Sequence, residues 1–168
     1  PGPGGLFNTG TIQASNGGTL DLDAGDYQNT NGTIQALNGS TINIRPGAAL
    51  FGGTIRTAGS GTVEIEGFNV LFDGVGMEVD ANVNVQTLGR LRLRGDITNR
   101  KTIDLHDAAQ LLIDGTVTLT GGGTIDLGDP TTRIFGFGGG DPDLLVNTDN
   151  TIIGTGQVRV ALQSGGTL

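Results

Sequence analysis

Apolar and polar residues alternate at period two in short blocks along the chain: Thr19-Leu20-Asp21-Leu22-Asp23, Thr41-Ile42-Asn43-Ile44, Thr62-Val63-Glu64-Ile65-Glu66 and Arg90-Leu91-Arg92-Leu93-Arg94. Successive side chains of a strand point to opposite faces, so each block predicts a strand with one dry and one wet face. The blocks belong to a longer repeat. Thr-Ile pairs stand at Thr11-Ile12, Thr33-Ile34, Thr54-Ile55, Thr102-Ile103, Thr124-Ile125 and Thr151-Ile152, separated by 22, 21, 48, 22 and 27 residues. Val83-Asn84-Val85 fills the doubled interval, giving about seven coils of roughly 24 residues, a length typical of solenoid rungs. A second apolar position follows eight residues after the first in five coils: Ile12 to Leu20, Ile34 to Ile42, Ile55 to Val63, Val83 to Leu91 and Ile103 to Leu111.

Between the paired strands lie Asn16-Gly17-Gly18, Asn38-Gly39-Ser40 and Gly59-Ser60-Gly61, residues that accept positive φ and turn the chain sharply. A coil is therefore strand, tight corner, strand and a longer return, with a third strand expected at Asn69-Val70-Leu71-Phe72 and Thr116-Val117-Thr118-Leu119. No coil can bury its own apolar face, so coils must stack and the core becomes a column. Its expected inward residues are Ile12, Leu20, Leu22, Ile34, Ile42, Ile44, Ile55, Val63, Ile65, Leu91, Leu93, Ile103, Ile125, Val158 and Val160. The predicted fold is all-β, a right-handed parallel β-helix (β-solenoid) forming a single domain over residues 1–168, with the hand taken from the usual chirality of parallel crossovers. An antiparallel sandwich also shows short alternating strands, but does not require one dipeptide and one offset to recur coil after coil.

Composition narrows the picture. Six Phe, one Tyr and no Trp leave the core to Ile, Val, Leu and Ala, and 32 Gly without a three-residue period fit many tight turns. There is no Cys, so neither a disulfide nor a thiolate metal site is expected. A formal charge of −8 argues against a nucleic-acid partner, which needs clustered Lys and Arg. No apolar run reaches bilayer length, so membrane insertion is not expected. The start at Pro1 without Met reads as processed or excerpted, and Gly165-Gly166-Thr167-Leu168 copies Gly17-Gly18-Thr19-Leu20, as though the solenoid continued.

Three stretches carry a resemblance: Gly10-Thr11-Ile12-Gln13-Ala14 with Gly17-Gly18-Thr19-Leu20, Gly32-Thr33-Ile34-Gln35-Ala36 with Gly39-Ser40-Thr41-Ile42, and the run from Asn147 to Gln157. They resemble the repeats of large bacterial filamentous-haemagglutinin-like and autotransporter-passenger-like surface proteins, over most of the chain but weakly between about Phe68 and Lys101. The resemblance implies an extracellular or cell-surface parallel β-helix with a structural or adhesive role in fibres or biofilm, not an enzyme, its partners being cell-surface proteins or carbohydrate. An exposed solenoid end presents unpaired strand groups and apolar core. Leu6, Phe7, Val158, Val160, Leu162 and Leu168 are the expected contacts for head-to-tail stacking of copies, an open contact that generates filaments.

Candidate chemistry is sparse. Asp21, Asp23 and Asp26 surround a Gly turn and could supply oxygen ligands to calcium, although they lack the spacing of an EF-hand loop. No cofactor is expected, and calcium is optional. Asn147-Thr148-Asp149 resembles the Asn-Thr-Asp signature of polygalacturonases, whose companion motifs are missing here, which leaves a polysaccharide lyase or hydrolase as the least favoured function. His106, with Asp104 and Asp107 beside it, could be imagined as a general base but reads as solvent-facing. Arg90, Arg92 and Arg94 form a basic stripe expected to pair with carboxylates on adjacent coils. An insertion loop at 135–146, with Phe135, Phe137, Asp141 and Asp143, is the expected surface for a ligand, since long insertions on one solenoid face often carry binding.

Overall fold

The computed structural model describes residues 5–138 and 142–167, and within them the chain is all-β with every strand pair parallel and no helix. Among the described residues no helix is long and apolar enough to cross a membrane. Each coil has three faces. A twelve-stranded sheet bends round the first and second faces, and a seven-stranded sheet forms the third. Register partners in successive coils lie 20–24 residues apart over most of the chain, as for Leu93–Ile113 and Ile134–Val158, but 28 apart for Val117–Leu145, 27 for Ile125–Ile152 and 17 for Leu145–Leu162. The chain is a β-solenoid of about seven turns, as the alternating pattern predicts.

The core is a set of stacked columns. On the first face Tyr27, Leu50, Phe72, Leu93 and Ile113 stand one above another. The second face stacks Ile12, Ile34, Ile55 and Val79, and the third stacks Leu22, Ile44, Ile65, Val85, Leu105 and Leu127. Nearly all of these are buried in one continuous cluster. Burial of each such side chain contributes about 1.5–3 kcal/mol. The expected inward residues lie on this cluster except at the ends, where Ile12, Leu20 and Val160 are half-buried and Val158 is 39% exposed. Val158 stacks on Ile134, so its exposure comes from its place in the last described coil.

The phase of the repeat departs from the sequence reading. Thr11, Thr33 and Thr54 pair with one another on the second face, whereas Thr102, Thr124 and Thr151 pair on the third, the face that also holds Thr19, Thr41 and Thr62. Val83 sits between Val63 and Ile103, so Val83-Asn84-Val85 is the degenerate copy expected, a member of the third-face column, and the doubled interval also marks the change of face from Thr54-Ile55 on the second. The cause is a moving corner. Four-residue turns at 15–18, 37–40 and 58–61 join second to third faces, while those at 86–89 and 106–109 join third to first. A four-residue turn between two short strands gives an offset of eight at whichever corner it falls.

Other corners are closed from within by asparagine. Asn8 Nδ2 donates to Asn29 Oδ1 at 2.7 Å, and Asn29 Nδ2 reaches the Gly32 and Gly52 carbonyls. One coil further, Gly53 has φ +68 and a Cβ there would overlap the Asn29 carbonyl oxygen, so glycine alone fits. Farther along, Asn99 Nδ2 donates to Asn150 Oδ1 at 3.0 Å, and Asn147 Nδ2 to the Asn150 carbonyl at 2.9 Å. Gly123 leaves the room for that reach, since a Cβ on it would crowd Asn99 Nδ2.

Candidate functional site

The outer side of the first face differs chemically from the rest of the molecule. Because its inward columns hold Leu91, Leu111 and Ile134, the residues on either side of them point outward. Three outward columns result. The first runs Arg90, Gln110, Arg133, Gln157 and the second Ala49, Leu71, Arg92, Leu112, Phe135, Arg159. The third runs Phe7, Gln28, Phe51, Asp73, Arg94, Asp114. Arg90, Arg92, Arg94, Arg133 and Arg159 thus gather on one face more than half of the nine Lys and Arg of an acidic chain.

Within this face the cations fall into two groups. Arg94 donates to Asp114 at 2.7 Å and reaches Asp73 at 3.3 Å, and Arg92 lies 3.6 Å from Asp114. These are the cross-coil pairs expected of the basic stripe. The bond to Asp114 is the main reason that the Arg94 pKa lies above its ordinary value. Arg92 also lies 4.4 Å above the centre of the Phe137 ring, a cation–π contact. By contrast, Arg90, Arg133 and Arg159 have no ion-pair partner among the described residues. Arg133, Phe135 and Arg159 line a groove of about 300 Å³. The Arg133 Nε is enclosed without a hydrogen-bond partner, as are the Oε1 atoms of Gln110 and Gln157 on either side of it in the same column.

The expected insertion is shorter than 135–146. Strands Arg133–Gly136 and Leu144–Asn147 continue the first and second faces, so the excursion is 137–143. Phe135 is a half-buried strand residue and Phe137 is exposed. Asp143 is the anchor of the loop: its carboxylate accepts the Gly115 N–H at 2.8 Å and the Gly138 N–H at 3.0 Å. Asp141 lies outside the described residues.

Asp21 and Asp26 stand on strands of different faces, Thr19–Leu22 and Gly25–Gln28, with Asp23 at the corner between them. Asp21 is occupied by Asn43 at 2.8 Å and Arg45 at 3.0 Å. The Asn43 hydrogen bond, helped by Arg45, holds its carboxyl below the usual aspartate range. Among the described residues no three acidic or histidine side chains converge in a way that could hold a metal ion. His106 Nε2 is 3.8 Å from Asp104. Asn147 is buried in the asparagine cluster, and Asp149 accepts the Gly122 N–H at 3.1 Å, which gives the Asn-Thr-Asp triplet a role in closing a corner.

Of the expected end contacts, Leu6 stacks on Tyr27 inside the column, but Phe7, 80% exposed, stacks above Gln28 on the outer side. Phe7 therefore flanks the end and does not cover it. At the other end a cleft of about 440 Å³ opens among Leu127, Ile152, Gly154, Val158 and Leu162. Leu168 lies outside the described residues. Comparison with family models, with curated proteins and with solved structures gives no match.

Proposed function

We propose that this chain is a structural and adhesive unit of a bacterial extracellular fibre or surface protein, in which solenoids stack end to end, and that it is not an enzyme. The observation that carries the reading is the apolar cleft at the last described coil, lined by Leu127, Ile152, Val158 and Leu162, at one end of a column whose other end holds half-buried Leu6, Ile12 and Leu20. Both surfaces are apolar and both are flanked by parallel strands with one unpaired edge. A second copy placed head to tail would extend every ladder and cover the cleft.

Electron microscopy of the purified chain at rising concentration tests this. The expected result is unbranched filaments with an axial repeat of about 33 Å, from seven coils at the roughly 4.8 Å strand spacing. Monomers that persist at every concentration overturn end-to-end stacking of copies and assign the cleft to a further coil of a longer chain.

A further inference from the structure

We infer that the groove between Arg133, Phe135 and Arg159 is a binding site for an acidic polysaccharide, a sugar chain carrying carboxylate or sulfate groups. The site lies on a side face of the solenoid and does not depend on end-to-end stacking.

Two observations carry this. The groove is lined by two guanidinium groups that have no carboxylate partner among the described residues, although the chain as a whole carries a formal charge of −8. A molecule with this excess of acid neutralises the arginines it needs for stability, as it does Arg92 and Arg94 through Asp73 and Asp114. Leaving Arg133 and Arg159 without such partners suits an incoming anion. A guanidinium binds an oxyanion through two parallel N–H donors.

The second observation selects the carrier of the anion. Phe135 stacks directly between Leu112 and Arg159 in the second outward column, so an apolar ring lies beside the cationic heads. Phe137 flanks the same strand, with one of its faces against Arg92. A flat apolar ring beside guanidinium groups matches a sugar ring with an acidic substituent: the C–H face packs on the ring and the oxyanion meets the arginines. Because every outward column continues at the coil spacing of about 4.8 Å, Arg90 extends the basic track along the axis. That favours a polymer over a single anion.

Binding of the whole chain to polygalacturonate, to dextran sulfate, to neutral dextran and to polyglutamate, measured by calorimetry at low and high salt, tests the site. Expected are salt-weakened binding to one or both acidic polysaccharides, none to neutral dextran, and weaker binding to polyglutamate. The two acidic polymers distinguish a carboxylate from a sulfate as the recognised group. Arg159→Gln, at an exposed position, is expected to weaken binding about tenfold, and Phe135→Ala to weaken it while leaving the salt dependence in place. Arg56→Gln, on another face, is expected to leave binding unchanged. No binding to either polysaccharide, equal binding to polyglutamate, or full binding by a folded Arg159→Gln variant would each overturn the proposal. Filament formation is read separately by microscopy, so failure here and failure of end-to-end stacking are distinguishable.

Discussion

At the scale of single residues, the polar groups enclosed in the column are the exacting ones. Asn29 closes its corner by serving two neighbouring coils at once. Replacing it with Ala leaves the Asn8 amide and two carbonyls short of partners, which should cost about 1–3 kcal/mol, readable as a lower urea midpoint. Gly53→Ala meets both a positive φ and the Asn29 backbone, so it should be at least as damaging. Tyr27 adds a dependence on pH. Its hydroxyl donates to the Asp23 carbonyl at 2.9 Å, and burial, with a smaller effect of the Asp23 charge, raises its pKa. The folded state therefore holds the phenol proton more tightly than the unfolded chain does. The stability that this contributes is fully present below the unfolded tyrosine pKa of about 10 and is lost as pH rises through the folded value. Tyr27→Phe should cost about 1 kcal/mol at neutral pH and flatten the alkaline limb of a stability curve measured from pH 8 to 11.

At the scale of strands, cross-coil neighbours decide what an outward position tolerates. The middle outward column of the third face runs Asp21, Asn43, Glu64, Asn84, Asp104 and Asp126. In its first four rungs acids alternate with amides, and Asn43 and Asn84 each donate to the acid before them at 2.8 Å. Asp104 and Asp126 then stack directly, and like charges in that relation are destabilising. Asp126→Asn should restore the alternation and raise stability by about 0.2–1 kcal/mol, with the gain shrinking at high salt. The same strands show what could be read from sequence. Period-two blocks and turn residues announce strands, corners and stacking, because those depend on local alternation and on glycine. The faces to which strands belong were not legible, since a four-residue turn produces the same spacing at either of two corners. Phe135 was marked in the sequence as part of an expected ligand-bearing insertion, but its arginine neighbours in the groove were hidden for that reason. Phe135 lies beside Arg159 only through pairing between coils, and without the correct phase the arginine stripe could be followed no further than Arg94.

For the molecule as a whole, stability is a sum over coils and the contacts between neighbouring coils, so position along the axis sets the effect of a core substitution. Leu93 is fully buried with coils on both sides, and Leu93→Ala should cost about 2–5 kcal/mol. Leu162 stacks on Leu145 from one side and is half-buried against the core at the cleft. Leu162→Ala should therefore cost the isolated chain about 1 kcal/mol or less, because little apolar area is lost. Leu162→Asp adds a charge where a second copy would dock, and burying an unpaired charge is far more costly than exposing one. If copies meet at this end, Leu162→Asp abolishes filaments while the melting curve of the monomer stays close to that of the unaltered chain. Filaments that persist in a folded Leu162→Asp variant move the contact away from the cleft. They would point instead to lateral association between the arginine-bearing first face and the acidic column of the third, an association that dissolves in high salt, whereas the end contact, being apolar, survives it.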